Sequence, residues 1–81
     1  MTAPASRRWV SLTVVAETFE LDVTWLEEVA LVGLLGEVDR SGEVPAIEVR
    51  MLDRVARIHG LHTYQGVDLA GIALWLEVHG G

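Results

Sequence analysis

The chain has 81 residues and no cysteine, and its net charge of −6 comes from twelve carboxylates against six arginines with no lysine. That length holds one domain, the absence of thiols excludes a disulfide scaffold and thiolate metal sites, and the negative field works against a general affinity for phosphate backbones. The polar start and the short apolar runs Val29–Leu35 and Leu69–Leu76 predict neither a signal peptide nor a membrane span. A soluble, cytoplasmic protein is therefore expected. Hydrophobic residues make up 51% of the chain, more than so small a body readily hides, and leftover apolar surface predicts an interface.

In chain order, Met1–Arg8 read as a flexible arm, residues 9–78 as one helical domain and residues 79–81 as a flexible tail. Trp9-Val10 suits a short strand. Ser11 is a helix N-cap, because its hydroxyl can accept from the first free N–H groups. Leu12, Val15, Ala16 and Phe19 then form one apolar stripe over Leu12–Glu20, with Val14 off it. Asp22 is the next N-cap. Over Val23–Val32, Leu26, Val29 and Ala30 face inward, Thr24, Glu27 and Glu28 outward, and Trp25 and Leu31 flank the outward face; Gly33 ends the helix. So short a turn between two helices predicts a helix-turn-helix.

The stretch Leu34–Val44 reads as a hairpin turning at Ser41-Gly42 and closed by Pro45. A longer helix is expected to begin at Glu48, with Met51, Leu52, Val55, Ile58, Leu61 and His62 as its core face. Arg50, Arg54 and Arg57 form a basic face, with Asp53 one turn from Arg57 as an ion-pair partner. Gly66-Val67 breaks this helix and Asp68 caps the last. Leu69–Val78 is apolar on all sides except for Glu77. A helix of that kind is buried on all sides, so part of it is expected to meet another chain. The expected fold is mainly α: a winged helix-turn-helix of about four helices with a small two-stranded wing.

This order resembles the DNA-binding domain of MerR-type regulators. The likeness is carried by Leu12–Ala16, the cap Asp22, Gly33-Leu34-Leu35 and Gly66-Val67-Asp68-Leu69 followed by Gly71-Ile72. Leu52-Asp53-Arg54-Val55-Ala56-Arg57-Ile58 followed by Gly66 through Leu74 is most similar to the chaperone-modulator branch, the CbpM-like proteins and DafA-like DnaK–DnaJ assembly factors. Gln65 departs from it, standing where the wider family has a leucine before the glycine. The resemblance implies a protein that binds a DnaJ-type co-chaperone, possible DnaK contact included, and either inhibits it or assembles it with DnaK. J-domains of such partners carry a basic helix that docks on DnaK.

The charges point away from DNA independently. A reading helix needs Arg, Lys, Asn or Gln on its outer face, and here that face shows Glu27 and Glu28. The wing offers Glu37, Asp39 and Glu43 against Arg40. The two glutamates are either a solvated face or an acidic docking face; Trp25 is either core or part of that face with Leu31. Trp75 is the second apolar contact expected. The partner-binding set is thus Trp25, Glu27, Glu28, Leu31 and Trp75. Two other classes stay open: a MerR-type transcriptional regulator, which would bind duplex DNA with salt dependence, and a small homo-oligomeric structural subunit, whose mass would rise with concentration.

No catalytic role is expected. Ser6, Ser11 and Ser41 fall in an arm, a cap and a turn, and no glycine-rich phosphate loop precedes a helix. His59 and His62 have a spacing that could share a metal but lack an evident third ligand. No enzyme activity, cofactor or metal is expected.

Overall fold

A computed structural model describes residues 8–79 of the chain. In chain order the elements are β1 (Trp9–Ser11), α1 (Leu12–Phe19), α2 (Val23–Leu31), β2 (Val38–Asp39), β3 (Ala46–Glu48), α3 (Leu52–His59) and α4 (Leu69–His79). A 3₁₀ turn, Val49–Met51, leads into α3 and a π-type turn, Gly60–Tyr64, continues it. Among the described residues the fold is mainly helical, with four helices and a small three-stranded antiparallel sheet. Arg8 and His79 lie within this body: the Val49 N–H donates to the Arg8 carbonyl at 2.8 Å, and His79 is the last residue of α4. The rest of the expected arm and tail lies outside the described residues.

The helix ends follow local chemistry. The Ser11 hydroxyl accepts from the Val14 N–H at 3.2 Å, the Asp22 carboxylate from Thr24 at 2.8 Å and the Asp68 carboxylate from Gly71 at 2.9 Å. Each satisfies a donor that the first helical turn leaves free. Helices α1 and α2 end alike. Leu21 N–H returns to the Ala16 carbonyl and Leu34 N–H to the Val29 carbonyl, with Glu20 and Gly33 in the left-handed conformation. This is the Schellman arrangement. Glycine adopts it freely at position 33 (φ 88°), whereas Glu20 (φ 56°) adopts it against the steric preference of an L-residue.

The sheet departs from the expected wing in two ways. Strand β3 is central, with β1 on one side and β2 on the other, so the sheet is three-stranded rather than two-stranded. Ile47 stands opposite both Val10 and Val38 and is fully buried. Directly opposed residues share a sheet face, so these three side chains form the sheet's contribution to the core. The second correction concerns the hairpin. β2 pairs with Ala46 and Ile47, beyond Pro45, not with Glu43 and Val44 directly after the Ser41-Gly42 turn. Pro45 has no N–H to give a ladder; its carbonyl instead accepts from Leu12 at 2.9 Å, which ties the start of α1 to the sheet. The connection from Arg40 to Pro45 is shaped at its start by the Asp39 carboxylate, which accepts from both the backbone N–H and the hydroxyl of Ser41.

Glu48 stands at the junction of strand and helix, as the cap residue of the 3₁₀ turn Val49–Met51 rather than the first residue of α3. It ends β3, is only 5% exposed, and lies 3.1 Å from the Arg50 guanidinium. That carboxylate, by hydrogen bond and charge, raises the Arg50 pKa above its ordinary value. Across the α3 region, Met51, Val55, Ile58 and Leu61 are buried, as the spacing predicts, while Leu52 and His62 are half-buried. The π-type turn makes room for one more residue than an α-helical turn. It accompanies the unusual Leu61–Gly66 interval, and it is closed by the Val67 N–H donating to the Leu61 carbonyl at 2.9 Å with Gly66 at φ 68°. Leu12, Leu26, Leu35, Ile47, Ile58 and Ile72 are fully buried, drawing α1, α2, the segment after α2, β3, α3 and α4 into one core.

In α4 only Ile72 and Leu76 are buried; Leu69, Ala73 and Trp75 are half-buried, and Ala70, Leu74, Glu77 and Val78 face outward. A helix apolar on all sides is therefore covered on one side by its own chain. None of the described helices is long and apolar enough to cross a membrane.

Candidate functional site

Helix α2 owes its orientation to three inward side chains, Leu26, Val29 and Ala30, all buried. Residues three and four apart share a helix face, so Thr24, Glu27, Glu28 and Leu31 turn outward together. Thr24, Glu28 and Leu31 are exposed, Leu31 by 67%. Val32, the cap residue one turn beyond Glu28, is 57% exposed and extends the apolar surface. Sequence reasoning missed Val32, although its place at i+4 from Glu28 and next to Leu31 was the available signal.

The two glutamates are not equivalent. Arg40, in the connection after β2, reaches back to Glu27 with Nη1–Oε1 at 3.1 Å. Charge comparison along α2 alone does not reveal this partner, because it comes from elsewhere in the chain. Both side chains remain substantially solvated, so the bond contributes at most about 1 kcal/mol. It does, however, offset part of the Glu27 charge and leaves Glu28 as the more open carboxylate.

Trp25 turns toward the edge of α2 and stacks on His62, centroids 4.0 Å apart and planes 19° from parallel. It is half-buried and joins α2 to the turn after α3. Of the two readings open for Trp25, core or part of the face with Leu31, this favours packing at the margin of the face. His62 Nδ1 is buried and makes no hydrogen bond among the described residues. The stack accounts for the ring's position but not for that nitrogen.

Trp75 is on α4, stacked on His79 at 4.2 Å, with the Arg57 guanidinium carbon 5.9 Å from its ring centroid. The five expected site residues thus divide: Glu27, Glu28 and Leu31 share one helix face, Trp25 sits at its edge, and Trp75 belongs to a different element.

The arginine stripe is engaged within the fold. Arg50 holds Glu48, Arg54 Nη1 donates to the Leu34 carbonyl at 3.2 Å and Arg57 lies over Trp75. Among the described residues the ion pairs do not join Asp53 to Arg57. The aromatic face attracts that guanidinium instead. His59 packs between Phe19 and Tyr64 while His62 lies on Trp25. Among the described residues no group of three or more metal-donor side chains comes together.

Around the sheet the charge is negative. The Ser41 hydroxyl and N–H hold the Asp39 carboxyl below its ordinary pKa, so it stays ionised, and Glu37 and Glu43 are exposed. The arrangement can present a carboxylate beside large apolar side chains on a rigid helix. That is chemistry suited to a basic amphipathic segment, with an apolar centre and a charged rim. No family model, curated protein or solved structure matches the chain.

Proposed function

We propose that this domain is a non-catalytic chaperone modulator that binds a basic segment of a DnaJ-type co-chaperone on the outward face of α2. The observation that carries the reading is the exposure of Leu31 and Val32 beside Glu28 on a helix whose other side is locked into the core. Apolar side chains of that size supply contact area, and the carboxylates select a positively charged partner and speed its approach. The resemblance of Leu52–Ile58 and Gly66–Leu74 to chaperone modulators supplies the partner class. On this reading α1, α2 and the sheet are a MerR-type winged helix-turn-helix whose second helix has exchanged phosphate contacts for protein contacts. Glu27 and Glu28 would repel a duplex backbone where a DNA reader needs cations. Binding works by occupancy: the modulator covers the basic helix that the J-domain otherwise offers to DnaK, or holds both chaperones through separate surfaces.

The test is a titration of the full chain against the isolated J-domain and the full-length co-chaperone, repeated with Glu27→Lys/Glu28→Lys and with Leu31→Ala. The charge-reversed variant is expected to bind at least tenfold more weakly, about 1.4 kcal/mol, with an unchanged circular-dichroism spectrum. Wild-type affinity should fall as salt rises. Equal affinity in the double variant would remove the α2 face from the reading. Failure of the unmodified chain to bind the J-domain, the full-length co-chaperone or DnaK would end the chaperone reading, and salt-dependent retention of duplex DNA would replace it with a regulator.

A further inference from the structure

The outward side of α4 is a second exposed apolar surface, and the α2 reading does not use it. Ala70, Leu74 and Val78 recur at every fourth position and all face solvent, Leu74 by 61% and Val78 by 70%. From Leu69 to Leu76 there is no charged residue. We infer that this face is a self-association surface, on which a second copy of the chain lays its own α4 antiparallel, with the two Leu74 side chains meeting at the two-fold axis.

Charge selects the occupant. At net −6, copies of this chain repel one another over most approaches. The outward side of α4 presents Glu77 as its only carboxylate, so two copies can meet there without bringing a row of like charges together. A basic segment gains little from such a face and more from α2, where the carboxylates stand.

Charge also selects the direction. In a parallel pair Glu77 would face Glu77. In an antiparallel pair centred on Leu74, the two Glu77 positions lie about 9 Å apart along the helices. His79 comes beside Leu69 of the second copy and next to its Asp68. Ala70 faces Val78, small against large, so the helices can approach closely at both ends. A two-fold pairing of this kind uses the same patch twice and closes on itself.

Size sets the strength. An eleven-residue helix is about 16 Å long, and two such helices side by side bury less than the roughly 800 Å² per partner of a stable complex. The dimer is weak and concentration-dependent.

The absence of cysteine from the chain makes the arrangement directly readable, because Leu74→Cys introduces the only thiol. A disulfide needs Cα atoms within about 7 Å. Position 74 meets its own copy at the two-fold axis, whereas the two copies of position 70 lie about 12 Å apart along the helix direction. Under mild oxidation of the full chain, Leu74→Cys should cross-link fast, Ala70→Cys slowly, and an equimolar mixture of Ala70→Cys and Val78→Cys fast. Sedimentation equilibrium should show the unmodified chain's mass rising with concentration, and Leu74→Glu should remain monomeric with an unchanged melting curve. Monomeric mass for the unmodified chain at millimolar concentration would overturn the inference. So would cross-linking of an exposed control, Leu31→Cys, as fast as Leu74→Cys. Fast self-linking at position 70 would overturn the antiparallel arrangement. A Leu74→Glu variant that loses co-chaperone binding, in a chain that is monomeric throughout, would assign the face to that partner instead. Because Leu74 and Glu28 are on different helices, failure here leaves the α2 reading intact, and failure there leaves this one.

Discussion

On the outside of α2, Leu31 and Val32 stand beside Glu28 and the Glu27–Arg40 pair; on the outside of α4, Leu74 and Val78 stand with Glu77 alone. Both helices bury one side in the same core, and both leave large apolar side chains in water. Apolar area therefore does not distinguish them. What differs is the charge beside it, and charge governs which partner can approach without penalty. The α2 face suits a cationic segment. The α4 face suits a neutral one, and the molecule itself carries such a surface.

The largest expected effect comes from removing what both faces share. Ile47 is fully buried between Val10 and Val38, so Ile47→Ala should cost about 2–5 kcal/mol. Urea unfolding monitored by circular dichroism would measure it. A loss below about 1 kcal/mol would mean that the sheet does not anchor the core as described.

Trp25→Ala comes next and separates packing from recognition at the α2 margin. Loss of its half-buried ring and of the His62 stack should lower stability by about 2 kcal/mol, part of it from the stack at roughly 0.5–1.5 kcal/mol. Affinity for the co-chaperone, corrected for folded fraction, should change little. A strong affinity loss with little change in stability would return Trp25 to the binding set.

Arg40→Ala sharpens the contrast between the faces. It releases Glu27, makes the α2 face more negative and leaves α4 untouched. Stability should change by no more than about 1 kcal/mol, while affinity for a basic partner rises a few-fold. Reduced affinity would show that Arg40 itself touches the partner.

The smallest effect is at Asp39. Its folded pKa lies below the ordinary carboxylate value because Ser41 donates to it twice. The unfolded chain thus takes up the proton first. The stabilisation is fully present above the unfolded pKa and disappears as pH falls through the lowered folded one. Asp39→Asn removes this titration, so its melting temperature should fall less than that of the unmodified chain between pH 5 and pH 3, a window set by the ordinary carboxylate pKa of about 4. Parallel curves would show that the Ser41 bonds do not persist in solution.

The candidate site was legible only in part. Glu28 and Leu31 were readable as outward because Leu26, Val29 and Ala30 announce the inward side, and a helix fixes the rest by its period. Trp25 was not, since a tryptophan at the margin of a stripe turns whichever way finds a surface, and that surface, His62, lies beyond α3. Arg40 escaped for the same reason: its partner is on another element. Trp75 was readable as lying on an apolar helix, but not as a neighbour of Arg57.

By itself the sequence determined what depends on a few consecutive residues. The caps at Ser11, Asp22 and Asp68, the stop at Gly33 and the inward stripes of α1, α2 and α3 all follow from hydrogen-bond donors and acceptors one turn apart and from helical spacing. Tertiary structure decided what depends on distant partners. β3 became the central strand because Trp9–Ser11 came to pair with it, and Glu48 became its last residue as well as the cap of the 3₁₀ turn that follows. The one-sided exposure of α4 has the same origin. Its own residues are apolar on every side, so only the position of the core, beneath Ile72 and Leu76, could choose which side would remain in water.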